Sequence, residues 1–198
     1  TANWKMTGWI GDSLEDLRLH LSADADFSGD ADTKRSTTGV HLAVEGPNSR
    51  FPLQGISKRQ GAVAHSTPEA EIAAADYAIR HEGVPALELW EALCKEIGVE
   101  PKPLSFREDN QAMIRVCQTG RNPTMRTLLR SHGVSVAAMK EFFDDPRLDL
   151  EYERSYRQCA DIYTKVFGVS SADTWRQACV NINVIECGKE QDALALLE

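Results

Sequence analysis

No apolar run in the sequence approaches the roughly 18 residues that a membrane-spanning helix needs, so no membrane helix is expected. The first 20 residues have neither the basic start nor the apolar centre of a secretory signal peptide. The five cysteines, Cys94, Cys117, Cys159, Cys179 and Cys187, form no C-x-x-C pair and have no histidine at zinc-ligand spacing. They read as reduced packing residues, as in an intracellular protein. Positive charge is also scarce: 22 Lys and Arg stand against 30 Asp and Glu, a net charge of −8. An acidic chain has little general electrostatic grip on nucleic acid, although carboxylates gathered around divalent ions would contribute part of that charge and be partly neutralised by the ions. Internal repeats and low-complexity tracts are absent. The chain begins at Thr1 and not at Met, and a piece of a longer polyprotein is the expectation.

What is present suits one well-buried domain: 198 residues, 42% of them hydrophobic. Residues 17–23 alternate Leu17, Leu19 and Leu21 with Arg18, His20 and Ser22, the period of a half-buried strand, and Asp24 stands at its expected end. A second strand is predicted over 40–44 and a third over 51–57, joined by the turn residues Glu45, Gly46, Pro47 and Asn48. Thr67, Pro68 and Glu69 then open an alanine-rich helix running to about His81, with Pro85 expected to interrupt it and a further helix over 86–97. A strand at 104–107 leads to Asp109 and to Asn110, which caps a helix to about Cys117. Residues 124–143 read as helical, 148–153 as a fifth strand, and 159–166 as the start of a last helix followed by a weaker helical tail. This order describes an α/β protein with one mixed sheet and helices on its faces.

Four acids lie where such a sheet could gather them: Asp24 and Asp109 at strand ends, Glu71 early in the first helix, and Asp161 at the start of the late one. Phosphodiester hydrolysis by two metal ions uses such a cluster, because hard Mg²⁺ takes oxygen ligands and keeps waters for the reaction. Pattern alone leaves the alternative of ordinary helix capping, for which acids at helix starts are common.

Four ordered blocks carry a family resemblance. They are Asp24-Ala25-Asp26-Phe27-Ser28-Gly29-Asp30 with Lys34-Arg35-Ser36-Thr37-Thr38-Gly39; Ile56-Ser57-Lys58-Arg59-Gln60 with His65-Ser66-Thr67-Pro68-Glu69-Ala70-Glu71; Glu108-Asp109-Asn110-Gln111-Ala112; and Cys159-Ala160-Asp161-Ile162-Tyr163-Thr164-Lys165. They resemble the D-A-D-W-A-G-D, S-K-K-Q with S-S-T-E-A-E, C-D-N-Q-A and L-A-D-I-L-T-K blocks of ribonuclease H domains in copia-type retrotransposon polyproteins. The resemblance implies a ribonuclease H-like fold, a five-stranded mixed sheet of three antiparallel then parallel strands with helices on both faces. It also implies a metal-dependent endonuclease that cuts the RNA strand of RNA–DNA hybrids during reverse transcription.

Under that resemblance Asp24, Glu71, Asp109 and Asp161 are the catalytic and metal-holding residues, with two Mg²⁺ ions, or Mn²⁺ in their place, as cofactors. Asp26 and Glu69 are the neighbours that compete for two of those roles. Ser28, Lys58, Arg59, Ser66, Thr67, Asn110 and Gln111 flank the acids and are the expected contacts to the hybrid, whose 2′-hydroxyls and groove shape distinguish it from duplex DNA. Each also has an ordinary use as a cap, turn or solvated charge. Residues 17–167 are expected to form the domain, with 1–16 as an extension or linker and 168–198 as a helical tail. The expected partners are the hybrid and the reverse transcriptase domain of the same polyprotein, with no membrane, in a cytoplasmic virus-like particle or the nucleus. The alternative function is a noncatalytic ribonuclease H-like packing or interaction module. The family's R-T-K-H-I-D-I-R-Y-H-F stretch is much altered at 125–135, and the tryptophans Trp4, Trp9, Trp90 and Trp175 read as packing residues.

Overall fold

The leucine alternation builds the central strand of the sheet. In the computed structural model, which describes residues 3–122, 125 and 128–188, β1 is Trp4–Met6, β2 is Arg18–Asp26, β3 is Thr37–Gly46 and β4 is Ser49–Arg59. After them come α1 (Thr67–Ala78), α2 (Val84–Glu96), β5 (Leu104–Glu108), α3 (Gln111–Thr119), α4 (Leu128–Ser131), α5 (Val136–Asp144), β6 (Leu148–Tyr152), α6 (Ala172–Asn181) and β7 (Val184–Glu186). The main sheet has the order β4-β3-β2-β5-β6. Its pairs β4·β3 and β3·β2 are antiparallel, and β2·β5 and β5·β6 are parallel.

Period-2 geometry gives β2 two unlike faces. Leu19, Leu21, Ala23 and Ala25 enter the apolar core with Val40, Leu42, Val44, Leu104 and Phe106. Arg18, His20, Ser22 and Asp24 occupy the opposite face, where ion pairs replace apolar packing. There Arg18 pairs with Asp149 and Glu151, and Arg107 and Arg50 both reach Glu45. Burial opposes the charge on Glu45, and the His20 ring, Arg107 and Arg50 outweigh it and hold the carboxyl at about 2.

α1 is buried almost all round because the side chains of Ala70, Ala73, Ala74, Ala75 and Ala78 are small enough for close approach to the sheet. Pro85 does not break the helical path as expected. A π-helical turn at Ile79–Gly83 joins α1 to α2, with Val84 N bonded to Ile79 O, and the wider turn accommodates a proline that cannot donate. The single helix predicted over 124–143 is instead α4 and α5. Between them Gly133 takes a left-handed φ of 71°, and Ser135 caps α5 through its bond from Ala138 N. Arg126, within that stretch, lies outside the described residues. The last helix expected from Cys159 is a short 3-10 segment, Cys159–Tyr163.

That 3-10 segment covers the face of the sheet opposite α1, and α6 packs on the segment. Residues from the two flanks also meet: β1 pairs antiparallel with β7, Trp4 packs on Trp175 with ring centroids 5.0 Å apart, and Trp9 bridges to Arg50 in β4. All five cysteines are free, and four are buried.

Candidate active site

Three elements deliver the acids to one end of the parallel pair. β2 carries Asp24 near its C-terminal end, β5 ends on Glu108 with Asp109 next, and α1 presents Glu71 from its first turns. The 3-10 segment then brings in Asp161. Gln158, 1% exposed, fastens these pieces together. Its amide nitrogen donates to Ala23 O at 3.2 Å and Arg107 O at 3.4 Å, one from each parallel strand just before its acid.

The electrostatics show that the acids share one neighbourhood. Glu71 is pushed up to about 10, by burial first and then by the charges of Glu108, Asp24 and Asp109. Burial and the charge of Asp24 raise Asp161 to about 7 against the pull of Lys165, and Asp109 adds to the rise. Asp24 is raised by burial, partly offset by a hydrogen bond from Thr164 and by Lys165. Each acid therefore opposes ionisation of its neighbours. This is the behaviour of carboxylates collected without enough positive charge between them.

The competing neighbours are occupied elsewhere. Glu69, 2% exposed, accepts from His65 N at 2.8 Å while Ser66 Oγ accepts from Glu69 N at 3.3 Å, a reciprocal cap at the start of α1. Asp26 accepts from Thr37 N, and its carboxylate lies where a Cβ on Gly29 would be. Both serve local backbone, whereas Asp24 and Glu71 serve the cluster.

Sequence reasoning missed Glu108. It is fully buried at the end of β5, accepts from Asn110 N at 2.9 Å, and is raised well above the usual carboxylate range by burial and by Asp109 and Asp24. An acid at the inward, otherwise apolar end of a strand beside Asp109 was the available signal. Thr164 and Lys165 were also without a role. Thr164 Oγ1 donates to Asp24 Oδ2, and Lys165 Nζ donates to Asp161 Oδ2.

The expected substrate contacts divide into two groups. Ser66 and Asn110 cap α1 and α3, Lys58 lies over the Tyr77 ring at 4.3 Å, and Arg59 pairs with Asp30 at 3.1 Å. Ser28 sits in a left-handed turn at φ 55°, its N–H donating to Ser36 Oγ, while Thr67 and Gln111 are exposed.

The donor set suits a hard divalent cation. Glu71 Oε2, Glu108 Oε2 and Asp161 Oδ1 are buried oxygens without a hydrogen-bond partner, and all the acids offer oxygen ligands. Among the described residues, however, no three His, Cys, Asp or Glu side chains are already drawn into metal-holding geometry. Drawing three ligands round one ion here requires side-chain movement.

The sheet order, the change from antiparallel to parallel pairing at the central strand, and helices on both faces define a ribonuclease H-like fold. No family model matches the chain. Among solved structures it is similar to the LC11 ribonuclease H1 crystallised with an RNA/DNA hybrid, at 16% identity and a TM-score of 0.45 over 74% of this chain and 94% of that one. It is also similar to the N-terminal ribonuclease H domain of a Mycobacterium tuberculosis protein, at 14% identity and a TM-score of 0.40 over 82% and 96% of the two chains. An Aquifex aeolicus member of the Ppx/GppA family is similar at 10% identity and a TM-score of 0.22, over 74% of this chain and 40% of that one. The fold is assigned on the strand order and pairing senses themselves.

Proposed function

We propose that the chain is a metal-dependent endonuclease for the RNA strand of RNA–DNA hybrids, the ribonuclease H domain of a copia-type retrotransposon polyprotein. The observation that supports this most is the convergence of buried Asp24, Glu71 and Asp161 and half-buried Asp109 from separate elements into one neighbourhood of mutually repelling charge. Structural ion pairing leaves acids satisfied by cations, as Glu45 is. Among the described residues this cluster has one lysine and several unpartnered oxygens.

Those four acids would hold Mg²⁺ or Mn²⁺, which supplies an activated water and stabilisation of the leaving oxygen when bound. The chain's own residues do the positioning. Gln158 fixes the ends of β2 and β5, Thr164 orients Asp24, and the Ser66 and Asn110 caps fix the starts of α1 and α3 beside the acids. Ser28, Thr67 and Gln111 would meet the ribose and phosphate of the hybrid, with Lys58 and Arg59 as phosphate contacts. The work would take place in a cytoplasmic virus-like particle or the nucleus, beside the reverse transcriptase domain, which would contribute affinity that a chain of net charge −8 lacks.

The second reading, a noncatalytic ribonuclease H-like module, is favoured by one observation: no three ligands are preassembled among the described residues. Labelled RNA–DNA hybrid, duplex RNA and duplex DNA, offered as separate substrates, separate the readings. The proposal expects metal-dependent cutting of RNA in the hybrid alone. A folded chain that binds hybrid and cuts nothing supports the module.

A further inference from the structure

The acidic cluster contains its own cation. Lys165 follows Asp161 by one turn, and its ammonium donates to Asp161 Oδ2. The Asp161 side chain is 13% exposed and the Lys165 side chain 46%, so the pair sits at the mouth of the site, not in the core. The lysine is also attracted by Asp24 and Asp109, acids from β2 and the end of β5. It therefore faces three of the four proposed metal-holding residues. Asp161 Oδ1, the oxygen the lysine does not take, is buried without a partner.

We infer that Lys165 is a resident counter-ion of this cluster, one that a divalent cation must compete with for Asp161. The inference rests on the metal-holding reading of the four acids. A flexible four-carbon stem carrying a compact point charge is suited to the task, because it can neutralise the acids in one position and swing to solvent in another. Its half-exposed side chain gives it that exit. Two consequences follow in opposite directions. Before metal arrives, the ammonium lowers the repulsion among Asp161, Asp24 and Asp109 and stabilises the fold. When a doubly charged ion arrives, the same ammonium repels it over a short, partly desolvated distance.

The test measures Mn²⁺ binding by calorimetry and thermal unfolding in EDTA, at alkaline pH where protons compete least, for the full chain and for Lys165→Met and Lys165→Arg. Lys165→Met is expected to bind Mn²⁺ at least about tenfold more tightly than the parent, while unfolding at a lower temperature in EDTA. Lys165→Arg keeps the charge and should stay near the parent in both. Unchanged or weaker Mn²⁺ binding by a folded Lys165→Met chain overturns the inference while leaving the metal-holding reading intact. Should Lys165→Met instead lose hybrid affinity with Mn²⁺ affinity unchanged, the lysine is a phosphate contact and the inference also fails. Absence of Mn²⁺ binding by the parent and by Lys165→Met overturns both the inference and the reading beneath it.

Discussion

Glu69 and Glu71 lie two residues apart on one helix, are both buried, and are given opposite work by their hydrogen bonds. Glu69 closes the cap of α1, so Glu69→Ala should lower stability by about 1 kcal/mol, as loss of a capping interaction does, and leave divalent-metal binding in place. Glu71 is held at about 10 in the fold against an ordinary 4.5, so the folded chain binds a proton that the unfolded chain does not. Stability is therefore lost as pH rises through that window, and Glu71→Gln should be more stable than the parent in EDTA at alkaline pH. Added Mg²⁺ narrows that gap: the parent gains roughly 2.7 kcal/mol at about 100 times its dissociation constant, and the variant gains less. Melting curves of the two variants with EDTA or Mg²⁺ check both statements. A destabilised Glu71→Gln in EDTA would contradict the repulsive cluster. The sequence blocks were sufficient to favour Glu71 and Asp24, but Glu108 and Lys165 needed the structure, since an acid in a strand and a lysine after a helical turn have many ordinary uses.

The sheet and the 3-10 segment meet through glycine. A Cβ on Gly39 of β3 would lie 2.6 Å from Ala160 O and 2.7 Å from Thr164 Cγ2, and one on Gly55 of β4 would lie 2.3 Å from the Tyr163 hydroxyl. Glycine at these positions lets the segment bearing Asp161 lie directly on the strands. Gly39→Ala should push that segment outward, with a loss of about 1–3 kcal/mol from overpacking and a larger proportional loss of cutting than of secondary structure. Parallel circular dichroism and cleavage assays measure this, and unchanged cleavage would show that Asp161 does not depend on the contact. At this scale the sequence was legible where periodicity was strong: all five strands of the main sheet and the capped starts of α1 and α3 lie within a few residues of their expected positions. It was less legible where tertiary contacts decide. The π-helical turn before Pro85, the division of 124–143 at Gly133, and the 3-10 form of 159–163 depend on packing, which periodicity does not encode.

Over the whole molecule, two opposing titrations govern acid behaviour. His20 and His41 are each lowered from 6.5 to about 4, chiefly by burial, so they are neutral in the fold and protonate on unfolding. Their contribution is present above about 6.5 and declines as pH falls toward 4, whereas the raised carboxylates favour the fold as pH falls. A stability profile of the parent alone therefore mixes the two. The difference between the parent and His41→Asn isolates one term, and it should shrink by up to about 3 kcal/mol between neutral pH and pH 4. A constant difference in denaturant titrations would show that His41 binds its proton as readily in the fold as in the unfolded chain. Neither buried histidine was legible as such in the sequence, because polar positions on β2 and β3 read as solvent-facing until His20 is seen among Glu45, Arg107 and Arg18 and His41 against Tyr163 of the 3-10 segment. The meeting of the flanks through β1 and β7 was hidden for the same reason, since three-residue strands far apart in sequence leave no periodic trace.

The most direct test of the central claim is cleavage of end-labelled RNA annealed to DNA, with Mg²⁺ or Mn²⁺, by the chain and by Asp109→Asn. The parent is expected to make internal cuts in the RNA strand, abolished by EDTA and reduced at least about a thousandfold by the substitution, as loss of a metal-holding acid at a two-metal centre implies. Equal cutting by Asp109→Asn, or cutting that survives EDTA, would contradict the central claim.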